Sequence, residues 1–211
     1  MKNQNIEDEL SSIRSLMERS SKFISLSGLS GIMAGVYALI GSTLAYHIVY
    51  NSSAAAFSSR DYHVADLDTH FNILIELLAI AAAVLVASVG TGIFLSFKKA
   101  RKNGHSIWNN TTRSLLFHAA IPLVTGGLFM LILLGRGYYG IVAPASLIFY
   151  GIAVISGSHY TFTDVKYLGL LQIILGLIAA LYPGYGLIFW ALGFGVLHII
   201  YGSIVYFKYD R

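Results

Sequence analysis

The chain contains no cysteine, and only 11% of its 211 residues are charged. The first absence excludes disulfides, thiolate metal sites and cysteine nucleophiles together. The second, set against roughly 25% in soluble domains, leaves few ionic side chains to clothe a water-exposed surface. Proline occurs only three times, so long helical stretches can run with few interruptions. No phosphate-binding glycine loop, zincin helix or dinucleotide fingerprint occurs. What the chain has instead is apolar bulk, 56% of residues, interspersed with 21 glycines.

The closing stretch, Lys166 to Arg211, shows the pattern most plainly. Two apolar runs flank a Pro183-Gly184-Tyr185-Gly186 turn, and the second is long enough to cross a ~30 Å hydrocarbon core. Proline cannot continue a helix and the glycines permit turn dihedrals, so this reads as a hairpin of adjacent antiparallel spans. The rest of the chain repeats the pattern. An all-α polytopic membrane protein of one domain is predicted, with six spans at about 23–50, 71–97, 115–134, 141–157, 167–182 and 186–207, grouped as three hairpins. Pro122 is expected to bend or loosen the third. Residues 1–22 are polar, but Ile6, Leu10, Ile13 and Met17 form one helical stripe. They predict a short amphipathic helix at the membrane surface or under the bundle. The apolar run after it is too long for a signal-peptide core.

Lysine and arginine set the orientation. With six spans, twelve of the fourteen fall on the side of the two termini and only Arg60 and Arg136 on the other. The positive-inside rule then places both termini in the cytoplasm, and the basic charge reflects topology and anionic lipid rather than nucleic acid. Small residues predict the packing: Gly31 and Gly35 in the first span, and the ladder Ala79, Ala83, Ala87 and Thr91 in the second, are expected to face each other.

Odd-numbered spans share a glycine, an apolar run and a turn glycine (Gly35–Gly41, Gly127–Gly135, Gly176–Gly184), while Tyr150-Gly151 and Tyr201-Gly202 recur in even-numbered ones. In these features the chain resembles the HdeD-like family of small six-helix bacterial membrane proteins. That resemblance implies fold, membrane location and a loose link to envelope stress, and carries no catalytic motif.

Ionisable and polar groups at membrane depth are the functional candidates. Glu76 is the one carboxylate within any span, with His47 its expected partner for binding a cation or relaying protons; the alternative is a protonated packing group. Ser30, His118, Gln172 and His198 lie on the cytoplasmic half. The two histidines offer axial ligands for a haem, and Ser30 in Gly28-Leu29-Ser30-Gly31, with a histidine on the last helix, resembles rhomboid intramembrane proteases. Interhelical hydrogen bonding explains the same residues. In the first outer loop His63, Asp66 and His70 share a face if helical and suit zinc, although a solvated loop with a helix cap fits equally.

The expected function is a non-enzymatic structural, regulatory or envelope-stress component of a bacterial cytoplasmic membrane, without a cofactor. A small transporter using Glu76, and a haem- or metal-binding protein or hydrolase, are the alternatives. The expected partners are membrane lipids, with a second copy or another membrane protein left open.

Overall fold

The computed structural model of the chain describes residues 27–51, 67–102, 108–162 and 164–210. The amphipathic segment 1–22 lies outside them, as do His63 and Asp66. Among the described residues there are six helices and no strand: α1 (Gly28–Asn51), α2 (Leu67–Lys102), α3 (Asn110–Gly135), α4 (Val142–Ser158), α5 (Val165–Leu181) and α6 (186–210). Four of these, α1, α2, α3 and α6, are long and apolar enough to cross a membrane. The other two, at 17 residues each, measure about 25 Å.

Local chemistry explains the boundaries. Asn109 caps α3 by accepting from the Thr112 N–H at 2.8 Å and the Thr112 hydroxyl at 3.0 Å, so the helix starts in a polar segment that hydropathy alone assigns to a loop. Lys99, Arg101 and Lys102 sit in the last turn of α2, where cations complement the helix dipole. Pro122 does not interrupt α3, which runs unbroken from Asn110 to Gly135. Pro144 occupies the first turn of α4, where its missing N–H costs nothing. The turns after α3 and α5 use Gly137 (φ 81°) and Gly184 (φ 89°), a backbone region that side chains disfavour.

Glycine contacts decide which helices meet. On α4 and α5, a Cβ at Gly151 would stand 2.6 Å from the Gly169 carbonyl oxygen, and one at Gly169 would stand 2.7 Å from that of Gly151. Backbone therefore lies on backbone, as small residues in helix interfaces allow. The first and last helices meet in the same way. A Cβ at Gly35 would fall 2.6 Å from the Gly195 oxygen, one at Gly31 3.1 Å from the Gly202 Cα, and one at Gly202 2.7 Å from the Gly28 oxygen.

The first two spans do pack on each other, but not through the expected faces. Gly31 and Gly35 face α6, not α2. Helix α2 instead lays Ile80 and Val84 over Gly41, and Thr91 bonds the Tyr37 hydroxyl at 3.2 Å. Ala79 and Ala83 are exposed and Ala87 is half-buried. Four-residue spacing marks a face but not its partner, and the glycines of α6 allow a closer approach than alanines do.

The closing hairpin also differs from expectation. Helix α5 packs on α6 mainly along the half nearest Pro183 and meets it again through Asp164, just before its first turn, which bonds Lys208 and Tyr209, while α6 lies against α1 along its whole length. The six helices thus follow an arc, α2–α1–α6–α5/α4–α3, with α2 and α3 at its ends and space between them. At one end of the bundle Gly28 meets Gly202 and Tyr206, Lys99 meets Phe162, and Asp164 meets Lys208. We call this the basic end and the opposite one the turn end.

Substituting Gly35 by Ala should destabilise the bundle by about 1–3 kcal/mol through overpacking. Gly90, with nothing within 4 Å of an added Cβ, should tolerate Ala or gain from it. Equilibrium unfolding in detergent distinguishes the two, and equal responses would show that the α1–α6 contact is not tight.

Candidate functional site

The polar groups at depth converge on one backbone atom. Helix α6 is π-helical over Ala191–Leu197, a widened turn of the kind that often marks functional positions. The His198 N–H turns to the Gly195 oxygen, while the Gly193 oxygen receives side chains. Gln172 of α5, fully buried, donates through Nε2 at 2.8 Å, and His198 through Nδ1 at 3.1 Å. A carbonyl can only accept, so Nδ1 carries a proton. The remaining ring nitrogen, Nε2, lies 2.7 Å from the Tyr150 hydroxyl of α4. Among the described residues no ion pair reaches this buried imidazole, so the neutral ring, accepting from Tyr150, avoids an uncompensated charge. One chain of bonds thereby joins α4, α5 and α6. Glycine at 193 is what admits Gln172: a Cβ there would stand 2.6 Å from the amide Oε1. Phe194 flanks the bonded pair, its ring 5.0 Å from Tyr150 and 5.9 Å from His198.

Two cavities occupy the inside of the arc. The one toward the basic end has a volume of about 530 Å³ and touches all six helices, with Ser30, Tyr150, Thr161, His198 and Tyr201 among its lining residues. The one toward the turn end, about 540 Å³, is lined by Ser42, Leu77, Met130, Tyr139 and others, and Ala81 and Trp190 line both. In the first, the Thr161 and Tyr201 hydroxyls are buried without a hydrogen-bond partner. A buried polar atom normally finds one.

The rim at the basic end is held by a small ionic cluster. Asp164 accepts from Lys208 Nζ at 2.6 Å and from the Tyr209 hydroxyl at 2.9 Å. Phe162 stacks on Tyr209 with centroids 4.0 Å apart, and Lys99 lies over the Phe162 ring. The Lys208 hydrogen bond holds the Asp164 carboxyl below its ordinary range. Its contribution to stability is therefore present above that range and is lost as pH falls through the lowered value.

The remaining sequence-derived candidates fall apart in space. Glu76 is exposed. It lines neither cavity, although Ile80, one turn further along nearly the same face, borders the turn-end one with Leu74, Leu77, Leu78 and Ala81. His47 is exposed on α1 beside the Tyr46 ring. His118 is exposed on α3, with Nδ1 2.7 Å from the Ser114 oxygen, and it does not line the cavity that His198 lines. The two histidines are not placed as a haem pair. Ser30 is buried and does line that cavity, yet its hydroxyl donates to the Ser27 oxygen at 2.6 Å. Both nitrogens of His198 are engaged elsewhere, so no Ser–His pair is formed. His70 falls in the first turn of α2, and among the described residues no three His, Asp or Glu side chains come together as metal ligands.

The sequence reading did not anticipate the roles of Tyr150, Gly193, Thr161 and Tyr201. One signal for two of them existed: in the recurring Tyr150-Gly151 and Tyr201-Gly202 pairs, the glycine lets a neighbouring helix close in while the tyrosine turns to the cavity.

The chain matches no protein-family model, and neither a curated protein nor a solved structure is measurably similar to it.

Tyr150→Phe and Gln172→Leu should each lower stability by about 1–3 kcal/mol, because each leaves a buried group short of a partner. In a double-mutant cycle the two losses should not add. Additivity within about 0.5 kcal/mol would mean that the bonds around Gly193 do not act as a unit.

Proposed function

We propose that the chain is a non-enzymatic, multi-pass component of a bacterial cytoplasmic membrane with a structural or regulatory role. The observation that carries this reading is that His198 and Gln172, both buried, are spent on hydrogen bonds between helices: Gln172 of α5 bonds Gly193 of α6, and His198 of α6 bonds that same carbonyl and Tyr150 of α4. Such bonding supports a packing role for them rather than proton transfer or nucleophilic chemistry. Exposed apolar side chains on the helices at the arc's ends, such as Val86, Phe94, Val124 and Leu128, would be costly in water and suit hydrocarbon. The excess of Lys and Arg on the side of the termini supports a cytoplasmic location for both. The HdeD-like resemblance agrees with this assignment and with a part in envelope stress.

Transport through Glu76 is the competing reading. The residue's place outside the lining of both cavities supports the structural alternative. Proteoliposomes carrying the protein, under an imposed proton or potassium gradient and read with an entrapped pH dye, should dissipate the gradient no faster than empty vesicles. A protein-dependent flux that Glu76→Gln abolishes would replace this reading with transport.

A further inference from the structure

The cavity at the basic end has the attributes of a binding site rather than of a packing defect. Among the described residues its lining includes no Asp, Glu, Lys or Arg. Most of its wall is apolar, with Ala34, Ala38, Val84 and Leu85 on one side and Phe194 and Leu168 on others. From Gly28 to Ala38 it follows α1 for ten residues, roughly 15 Å at 1.5 Å per residue. The Thr161 hydroxyl, on a residue only 5% exposed, and the Tyr201 hydroxyl are buried and unpartnered. Both are toward the basic end, where Thr161 directly precedes Phe162 of the ionic rim. A site of this size, mostly apolar with a few polar groups in its lining, is typical for a small ligand.

We propose that this cavity binds an uncharged, chain-bearing lipid whose carbonyl oxygen accepts hydrogen bonds from Thr161 and Tyr201. The chemistry follows from the lining. A charged head would be buried without a counter-ion, water would face mostly apolar walls, and a purely hydrocarbon occupant would leave both hydroxyls unsatisfied. A carbonyl accepts two donors at once, and the apolar tail fills the space toward Trp190. The inference rests on the membrane assignment above. Two sources share this chemistry: a neutral glyceride, through its ester carbonyl, and a lipophilic quinone.

Trp190 lines this cavity and the turn-end one alike, so the Thr161 and Tyr201 variants are what tie its quenching to this site; the chain's other tryptophan is Trp108. The full-length Trp108→Phe protein is reconstituted in phosphatidylcholine vesicles and recovered by flotation. It is then titrated with a brominated diacylglycerol in one arm and a decyl-substituted benzoquinone in the other. Saturable quenching of Trp190 by one probe or both is expected, and which one saturates identifies the source. Thr161→Val and Tyr201→Phe, each on this background, should weaken the saturating probe about three- to tenfold. Neither substitution should lower the unfolding midpoint of the unliganded protein, since each removes a hydroxyl that has no partner. Quenching that only rises linearly with probe, or saturates equally in both variants, overturns the site. Failure to float with vesicles overturns the membrane assignment itself, and the site with it.

Discussion

A single backbone carbonyl, that of Gly193, holds the middle of this bundle together. Where α6 widens into a π-turn, that oxygen accepts Gln172 from α5 and His198 from α6, and His198 in turn accepts from Tyr150 of α4. In a low-dielectric interior such bonds are strong, and any member left unpaired is expensive. The arrangement therefore specifies position as well as adding stability: helices 4, 5 and 6 have one mutual register in which the ring and the amide can share one acceptor.

Everything else in the fold is compatible with that fixed centre. While one face of α6 is tied to α4 and α5 near its middle, another lies along α1, where Gly28, Gly31 and Gly35 meet Gly195 and Gly202. Closing the first helix on the last leaves α2 packed on α1, and α3 packed on α4, as the two ends of an arc. The interior space follows from this. Toward the basic end α2 faces it with small residues, Ala81, Ser88 and Gly92, interspersed among Val84, Leu85 and Val89, and these leave part of the gap that the arc encloses unfilled.

Much of the architecture was legible in the sequence because hydropathy and turn chemistry are local. Six apolar runs became six helices, and Pro183-Gly184 became a turn with positive φ. The glycine face of α1 was also readable as a close-contact face. Its partner was not, since helix pairing depends on which opposing residues let backbones touch, and Ala79 and Ala83 repeat at the right interval on a face that meets no helix. The site was harder. Gln172 and His198 stood out as polar residues in apolar surroundings, but the atom that unites them belongs to a glycine backbone, and the π-turn that presents it has no simple sequence mark. Glu76 stood out for the same reason and lies on an exposed face, because polarity at depth signals a need for solvation without saying what supplies it.

The protonation pattern of one imidazole, that of His198, follows from the bonds around Gly193. Selective ¹⁵N labelling of histidine, with the protein in bilayers at neutral pH and His198 assigned by its absence in His198→Gln, reads that pattern from the ring nitrogen shifts. A neutral ring with its proton on Nδ1 and an unprotonated, hydrogen-bonded Nε2 is the predicted state. A proton on Nε2 alone, or an imidazolium, would mean that His198 does not bond the Gly193 carbonyl and Tyr150 as described, and that the centre of the bundle is held some other way.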